Sequence, residues 1–226
     1  MIVSIHIPKT AGTTLGALFD SSTGKRVMFD YDDNYRDVAK PQQMIRAHAE
    51  FISWFFQVLH GHFYYTKYAS VFPDAQFVTC LRHPVDRVVS QYYHVGMLPD
   101  GQSDWRTPEI RAGKMNVVEF AKSDANISKA MSVHLDGRDI EHYDHVFFTE
   151  ALERSCRLFE TRTGFRFTSV PRQLNTREGR QRQHGDERFA KIVAPSDADR
   201  VAVFNLCGAD VDLYQRAKSR FLTNPR

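Results

Sequence analysis

Apolar residues fall along this chain in short runs whose period changes. Ile2-Val3-Ser4-Ile5-His6-Ile7 is β-branched and almost continuously apolar, which predicts a buried strand ended by Pro8. Leu15, Leu18 and Phe19 then share one face of a helix over Gly12 to Phe19. Arg26 to Phe29 reads as a second strand, and the acidic stretch Asp30 to Asp37 as a loop or short helix. Pro41 to Phe56 has helical spacing, Gln57 to Phe63 is extended, and Lys67 to Phe72 is a short helix stopped by Pro73. Ala75 to Leu81 is the clearest internal strand, and Pro84 suits the first turn of a helix running to about Val95.

The second half repeats this alternation. Leu98 to Gly113 carries Pro99, Gly101, Pro108 and Gly113 and reads as a loop, while Asn116 to Met131 reads as one or two helices. His145 to Phe148 is a further apolar strand, and Ala151 to Thr161 is a helix ended by Gly164. Val170 to Arg188 is polar and Arg-rich, a loop. Ser196 to Cys207, with Ser196 as N-cap, and Val211 to Phe221 close the chain as helices. Strands alternating with helices predict a single α/β domain over residues 1–226, with a parallel sheet covered on both faces.

Composition adds limits. The 226 residues are 42% hydrophobic and 25% charged, enough for one well-buried domain. A net charge of +3 fits an anionic ligand but also an ordinary surface, and no basic–aromatic stripe points to nucleic acid. Three scattered cysteines, Cys80, Cys156 and Cys207, have no metal spacing and suggest reduced thiols, with Cys80 a small core residue. No signal peptide or membrane-spanning run is visible.

The chemistry concentrates in three places. The first is Pro8-Lys9-Thr10-Ala11-Gly12-Thr13-Thr14, between a strand and a helix. A helix start offers unpaired N–H groups and a positive dipole end to an anion. Gly12 permits close backbone approach, the threonines add hydroxyls, and Lys9 adds a full charge. The lysine precedes the only glycine, so this is not a Walker A loop, and GxGxxG is missing. The blander alternative is a strand–turn–helix with a threonine cap.

The second is Leu81-Arg82-His83-Pro84, with Ser90 along the following helix. An arginine at a strand exit can grip a phosphate with two N–H groups. It can equally sit in a structural ion pair, with Ser90 on the helix surface. The third is His60-Gly61-His62, whose imidazoles suit a general base or simple backbone hydrogen bonding. Two histidines without a carboxylate partner make a poor metal set. His6, His83, His94, His134, His142, His145 and His184 carry no motif support.

The first loop resembles the donor loop of sulfotransferases that use 3'-phosphoadenosine-5'-phosphosulfate (PAPS), in the Pro-Lys-Thr-Ala/Gly-Ser/Thr-Thr form of the carbohydrate enzymes. Arg82 and Ser90 match the family's 3'-phosphate motif, and His60-Gly61-His62 is similar to the His-Gly-His stretch of uronyl 2-O-sulfotransferases. The resemblance implies a P-loop-like three-layer fold and a PAPS donor leaving as 3'-phosphoadenosine-5'-phosphate (PAP). It also implies a hydroxyl acceptor, above all a glycan, and no obligatory metal. It gives Lys9 the phosphosulfate, with Thr10, Ala11, Gly12, Thr13 and Thr14 as its cradle. It gives Arg82 and Ser90 the 3'-phosphate, and His62, or second His60, the base. His145 to Glu150 looks like the family's strand–Thr-Glu–helix segment. Arg177 and Arg180 fall in a late stretch where such enzymes place a loop over the nucleotide, though a solvated loop fits them as well. The missing membrane anchor suggests a bacterial cytoplasmic enzyme or a trimmed catalytic domain. A small-molecule kinase and a non-catalytic nucleotide- or glycan-binding module are the alternatives.

Overall fold

The structure is a computed structural model that describes residues 1–31, 43, 45–99, 104–168 and 192–223. Five strands form one parallel sheet: β1 (Ile2–Ile5), β2 (Val27–Asp30), β3 (Val58–Gly61), β4 (Gln76–Leu81) and β5 (His145–Phe148), in the order β2-β3-β1-β4-β5. The runs β1 and β5 are buried at every position, as a sheet covered on both faces requires.

Alternate residues feed two cores. Val3, Ile5, Leu59, Phe77, Leu81, Val146 and Phe148 face one side. Ile2, Val58, Val78, Cys80 and Phe147 face the other, against Leu15 and Phe19 of helix α1 (Gly12–Ser22). Further helices cover the sheet: α2 (Ala49–Phe55), α3 (Tyr65–Ala69) and α4 (Pro84–Gly96), then the short α5 (Arg106–Arg111), α6 (Val117–Lys122), α7 (Ala125–Ser128) and α8 (Ala130–His134). Last come α9 (Leu152–Thr163), α10 (Asp197–Leu206) and α11 (Gly208–Lys218). The result is the expected α/β three-layer arrangement. A third apolar cluster joins α4 to α5, α6 and α10 through Val88, Tyr92, Ile110, Phe120 and Val203.

Local signals explain most boundaries. Gly164 ends α9 in the left-handed conformation, φ 75°, and Ser196 with Asp199 forms a capping box at α10. Two expectations change. The stretch Leu98 to Gly113 is not all loop, because α5 forms inside it. Asp104 accepts from the Arg106 N–H, and Pro108 lies in the first turn, where a missing N–H costs nothing. The last long helix begins at Gly208, ahead of Val211.

The topology fixes where a ligand can bind. From β1 the chain runs to β2 and returns beside β1 as β3, then crosses to β4 on the other flank. The carboxyl ends of β1 and β4 therefore flank the point where the winding reverses, the usual ligand crevice of an open α/β sheet.

Candidate active site at the carboxyl end of the sheet

The loop after β1 has an unusual backbone. Lys9 and Ala11 both adopt positive φ, 72° and 62°. Each such residue costs on the order of 1 kcal/mol when it is not glycine. Left-handed residues in a loop turn main-chain N–H groups toward one side, the arrangement that receives anions. The N-cap of α1 is Ala11 and no side-chain hydrogen bond caps this end among the described residues, which removes the threonine-cap alternative. Thr10 is buried and its hydroxyl donates to the Ile7 carbonyl at 2.8 Å, so that hydroxyl shapes the loop. Thr14 is buried and Thr13 is exposed.

Gly12 has a further reason to be glycine. A Cβ there would lie 1.8 Å from Cδ2 of His6, so the imidazole fills the space a side chain would need. His6 stacks on His60 (centroids 5.3 Å apart, 12° between planes) and touches His62 at 4.3 Å. Burial, helped by the neighbouring histidines and Lys9, pushes its pKa down to about 2, so it stays neutral.

His60 and His62 lie on one face, since β3 alternates. His60 is fully buried. Its Nε2–H donates to the Gly12 carbonyl at 3.0 Å, which leaves Nδ1 to accept from the Ser4 hydroxyl at 2.9 Å. Burial lowers its pKa to about 4. With both ring nitrogens engaged beneath α1, His60 holds the start of α1 against β3. His62 lies beyond the strand end and is half-buried, and its backbone N–H donates to the Asp30 carbonyl at 2.9 Å. Asp30 itself is buried and takes Lys67 Nζ at 2.7 Å and the Tyr68 hydroxyl at 2.6 Å. This locks the ends of β2 and β3 onto α3.

Arg82 leaves β4 half-buried, and its Nη1 lies 3.5 Å from the Lys9 carbonyl, so the turns after β1 and β4 meet. The turn is buttressed from β5. Glu150 accepts from the His83 N–H at 2.7 Å, and the Thr149 hydroxyl donates to the Leu81 carbonyl at 3.1 Å. On α4, Ser90 is buried, and its Oγ has no hydrogen-bond partner among the described residues. Such a hydroxyl calls for a ligand or an explanation. Arg87, also on α4, is fully buried and donates to Gln91 and to the Ile127 carbonyl. Burial lowers its pKa, opposed by the nearby Asp210 carboxylate, which is held by Met131 N–H and Ser132.

The structure therefore brings Lys9, Gly12, His60, His62 and Arg82 to one end of the sheet. Arg177 and Arg180 lie outside the described residues. Among those described, no group of three or more His, Cys, Asp or Glu side chains is arranged to hold a metal ion, and no helix is long and apolar enough to cross a membrane. Motif reading missed His6, Asp30, Lys67 and Arg87. For His6 a signal existed: Ser4 and His6 alternate along β1 and its exit, as His60 and His62 do along β3 and its exit.

A model of the sulfotransferase family matches residues 20–141 of the 226, more than half of the chain. The chain belongs to the sulfotransferase family. No curated protein matches it. Sulfuryl transfer is thus the general chemistry of this sulfotransferase. The match contains His60, His62, Arg82 and Ser90, while the Lys9 loop precedes it and rests on its own geometry.

Proposed function

We propose that this sulfotransferase acts as one catalytic domain that moves a sulfuryl group from PAPS to a hydroxyl of a carbohydrate acceptor. The observation that carries the reading is the meeting of the Lys9 loop and Arg82 at the exits of adjacent strands, with the buried Ser90 hydroxyl on the helix that follows. Lys9 and the main chain of Thr10, Ala11, Gly12, Thr13 and Thr14 would receive the phosphosulfate. Arg82 and Ser90 would receive the 3'-phosphate.

In the transfer, the acceptor oxygen attacks sulfur as the S–O bond to the 5'-phosphate breaks, and PAP leaves. His62 takes the acceptor proton. His60 is the positioning residue, because both its ring nitrogens already have partners. Lys9 and the helix start offset charge gathering on the leaving oxygen. This chemistry needs no metal in principle.

The test is transfer of labelled sulfur from PAPS to a panel of glycans by the wild type and by His62→Gln. The wild type should label a glycan, and the variant should lose roughly 10²–10⁴ in rate while still binding PAP. Equal rates would remove His62 from the mechanism. Binding of PAP with no transfer to any hydroxyl compound would make the protein a nucleotide-binding module.

A further inference from the structure

Across the sheet, the site residues follow strand order. Arg82 leaves β4, His6 and Lys9 leave β1, His62 leaves β3, and Phe29 with Tyr31 marks the end of the edge strand β2. With strands about 4.8 Å apart, β2 lies three spacings, roughly 14 Å, from the β4 exit. The donor elements occupy the β1–β4 side, so an acceptor must come to His62 from the β2 side.

That side presents two exposed aromatic rings. Phe29 is 47% and Tyr31 40% exposed. Their planes are within 16° of parallel, with centroids 6.2 Å apart. Tyr31 also makes an edge contact with His62 at 4.9 Å, and its hydroxyl lies 3.2 Å from Nδ1 of His6. The phenol is thus tied at its polar tip while its ring stays open to solvent. Burial raises its pKa to about 12, so the ring remains neutral and uncharged. Large exposed rings beside a half-buried histidine mark a binding surface, not core packing.

We infer that Phe29 and Tyr31 form the acceptor platform, on which a pyranose ring lays one apolar C–H face so that a ring hydroxyl reaches His62. The negative face of an aromatic ring attracts the weakly positive C–H groups of such a face. Ring hydroxyls point outward from the sugar, toward the neighbouring imidazole. This inference rests on the sulfuryl-transfer reading and adds the acceptor's mode of binding.

The experiment uses the full chain saturated with PAP and methyl β-D-hexopyranosides as probes. Saturation-transfer NMR reads which sugar protons touch aromatic protons of the protein, and calorimetry reads PAP affinity separately. Transfer should concentrate on the C–H protons of one ring face. It should fall several-fold in Phe29→Leu and Tyr31→Leu, which keep apolar bulk without a π face, with PAP affinity unchanged. Tyr31→Phe should retain most of the signal. Unchanged sugar contacts in both leucine variants, or contacts with p-nitrophenol but none with any sugar, would overturn the platform. Failure of the wild type to bind PAP would instead overturn the donor reading, and the platform with it.

Discussion

Ser90→Ala separates a ligand-binding hydroxyl from a structural one, because the two roles predict opposite signs. In the free protein Ser90 Oγ is buried with no hydrogen-bond partner among the described residues. An unsatisfied buried hydroxyl costs on the order of 1 kcal/mol or more. Ser is also about 0.5 kcal/mol worse than Ala within a helix such as α4. Replacing it should therefore stabilise the free protein by about 1 kcal/mol, a rise in Tm of roughly 2–4 °C for a chain of this size. A hydrogen bond to a charged phosphate is worth about 1.5–3 kcal/mol, so PAP affinity should fall roughly 10- to 100-fold. Thermal unfolding with and without PAP measures both. At a PAP concentration 100 times the wild-type Kd, the wild type gains about 2.7 kcal/mol. A 30-fold weaker variant gains only about 0.9 kcal/mol under the same conditions. A free variant that melts lower than wild type, with PAP affinity unchanged, would refute the reasoning.

Lys9→Ala should lower the transfer rate by roughly 10²–10³, the scale for one preorganised charge stabiliser, and a rate near wild type in a folded variant would remove Lys9 from the chemistry. Gly12→Ala sets a Cβ 1.8 Å from the His6 ring and should destabilise the fold by about 2 kcal/mol or more, with part of the loss restored in the His6→Ala, Gly12→Ala double variant; strict additivity in chemical denaturation would contradict that contact. His6, His60, His134 and His145 have folded pKa values lowered to about 2, 4, 4 and 3 by burial, so the unfolded chain binds more protons. Their stability is present in full above about pH 6.5 and is lost as pH falls from there toward the folded values, on the order of 1–2 kcal/mol each by pH 5. A Tm flat between pH 8 and pH 5 would contradict neutral burial.

Much of this was legible in the chain because most of the strands are short, largely apolar and β-branched or aromatic runs. Ile2 to Ile5, Gln76 to Leu81 and His145 to Phe148 lie within the stretches their β-branched and aromatic content predicts. The strand-to-helix turn at Lys9 was legible because Pro8 ends the first apolar run and Gly12 opens the helix. Strand order was not, since no local signal says that β3 returns beside β1. That pairing sets His60 against Ser4 and Gly12, which engages both its ring nitrogens. The buried Asp30–Lys67–Tyr68 network was hidden for the same reason, as its members meet only when β2 and β3 pair. Helix α5 was concealed by Pro108, which reads as a breaker but sits in a first turn. Nothing local marked Arg87 as a core residue; it is buried where α4 packs among its neighbouring helices and donates to the Ile127 carbonyl of α7.

Calorimetric titration with PAP and with adenosine 5'-monophosphate, which lacks the 3'-phosphate, bears most directly on one nucleotide lying across the β1 and β4 exits. PAP should bind at least tenfold more tightly, and Arg82→Ala should shrink the difference, with Ser90 alone left on the 3'-phosphate, while leaving the monophosphate affinity unchanged. Equal affinities for the two nucleotides in the wild type would contradict it.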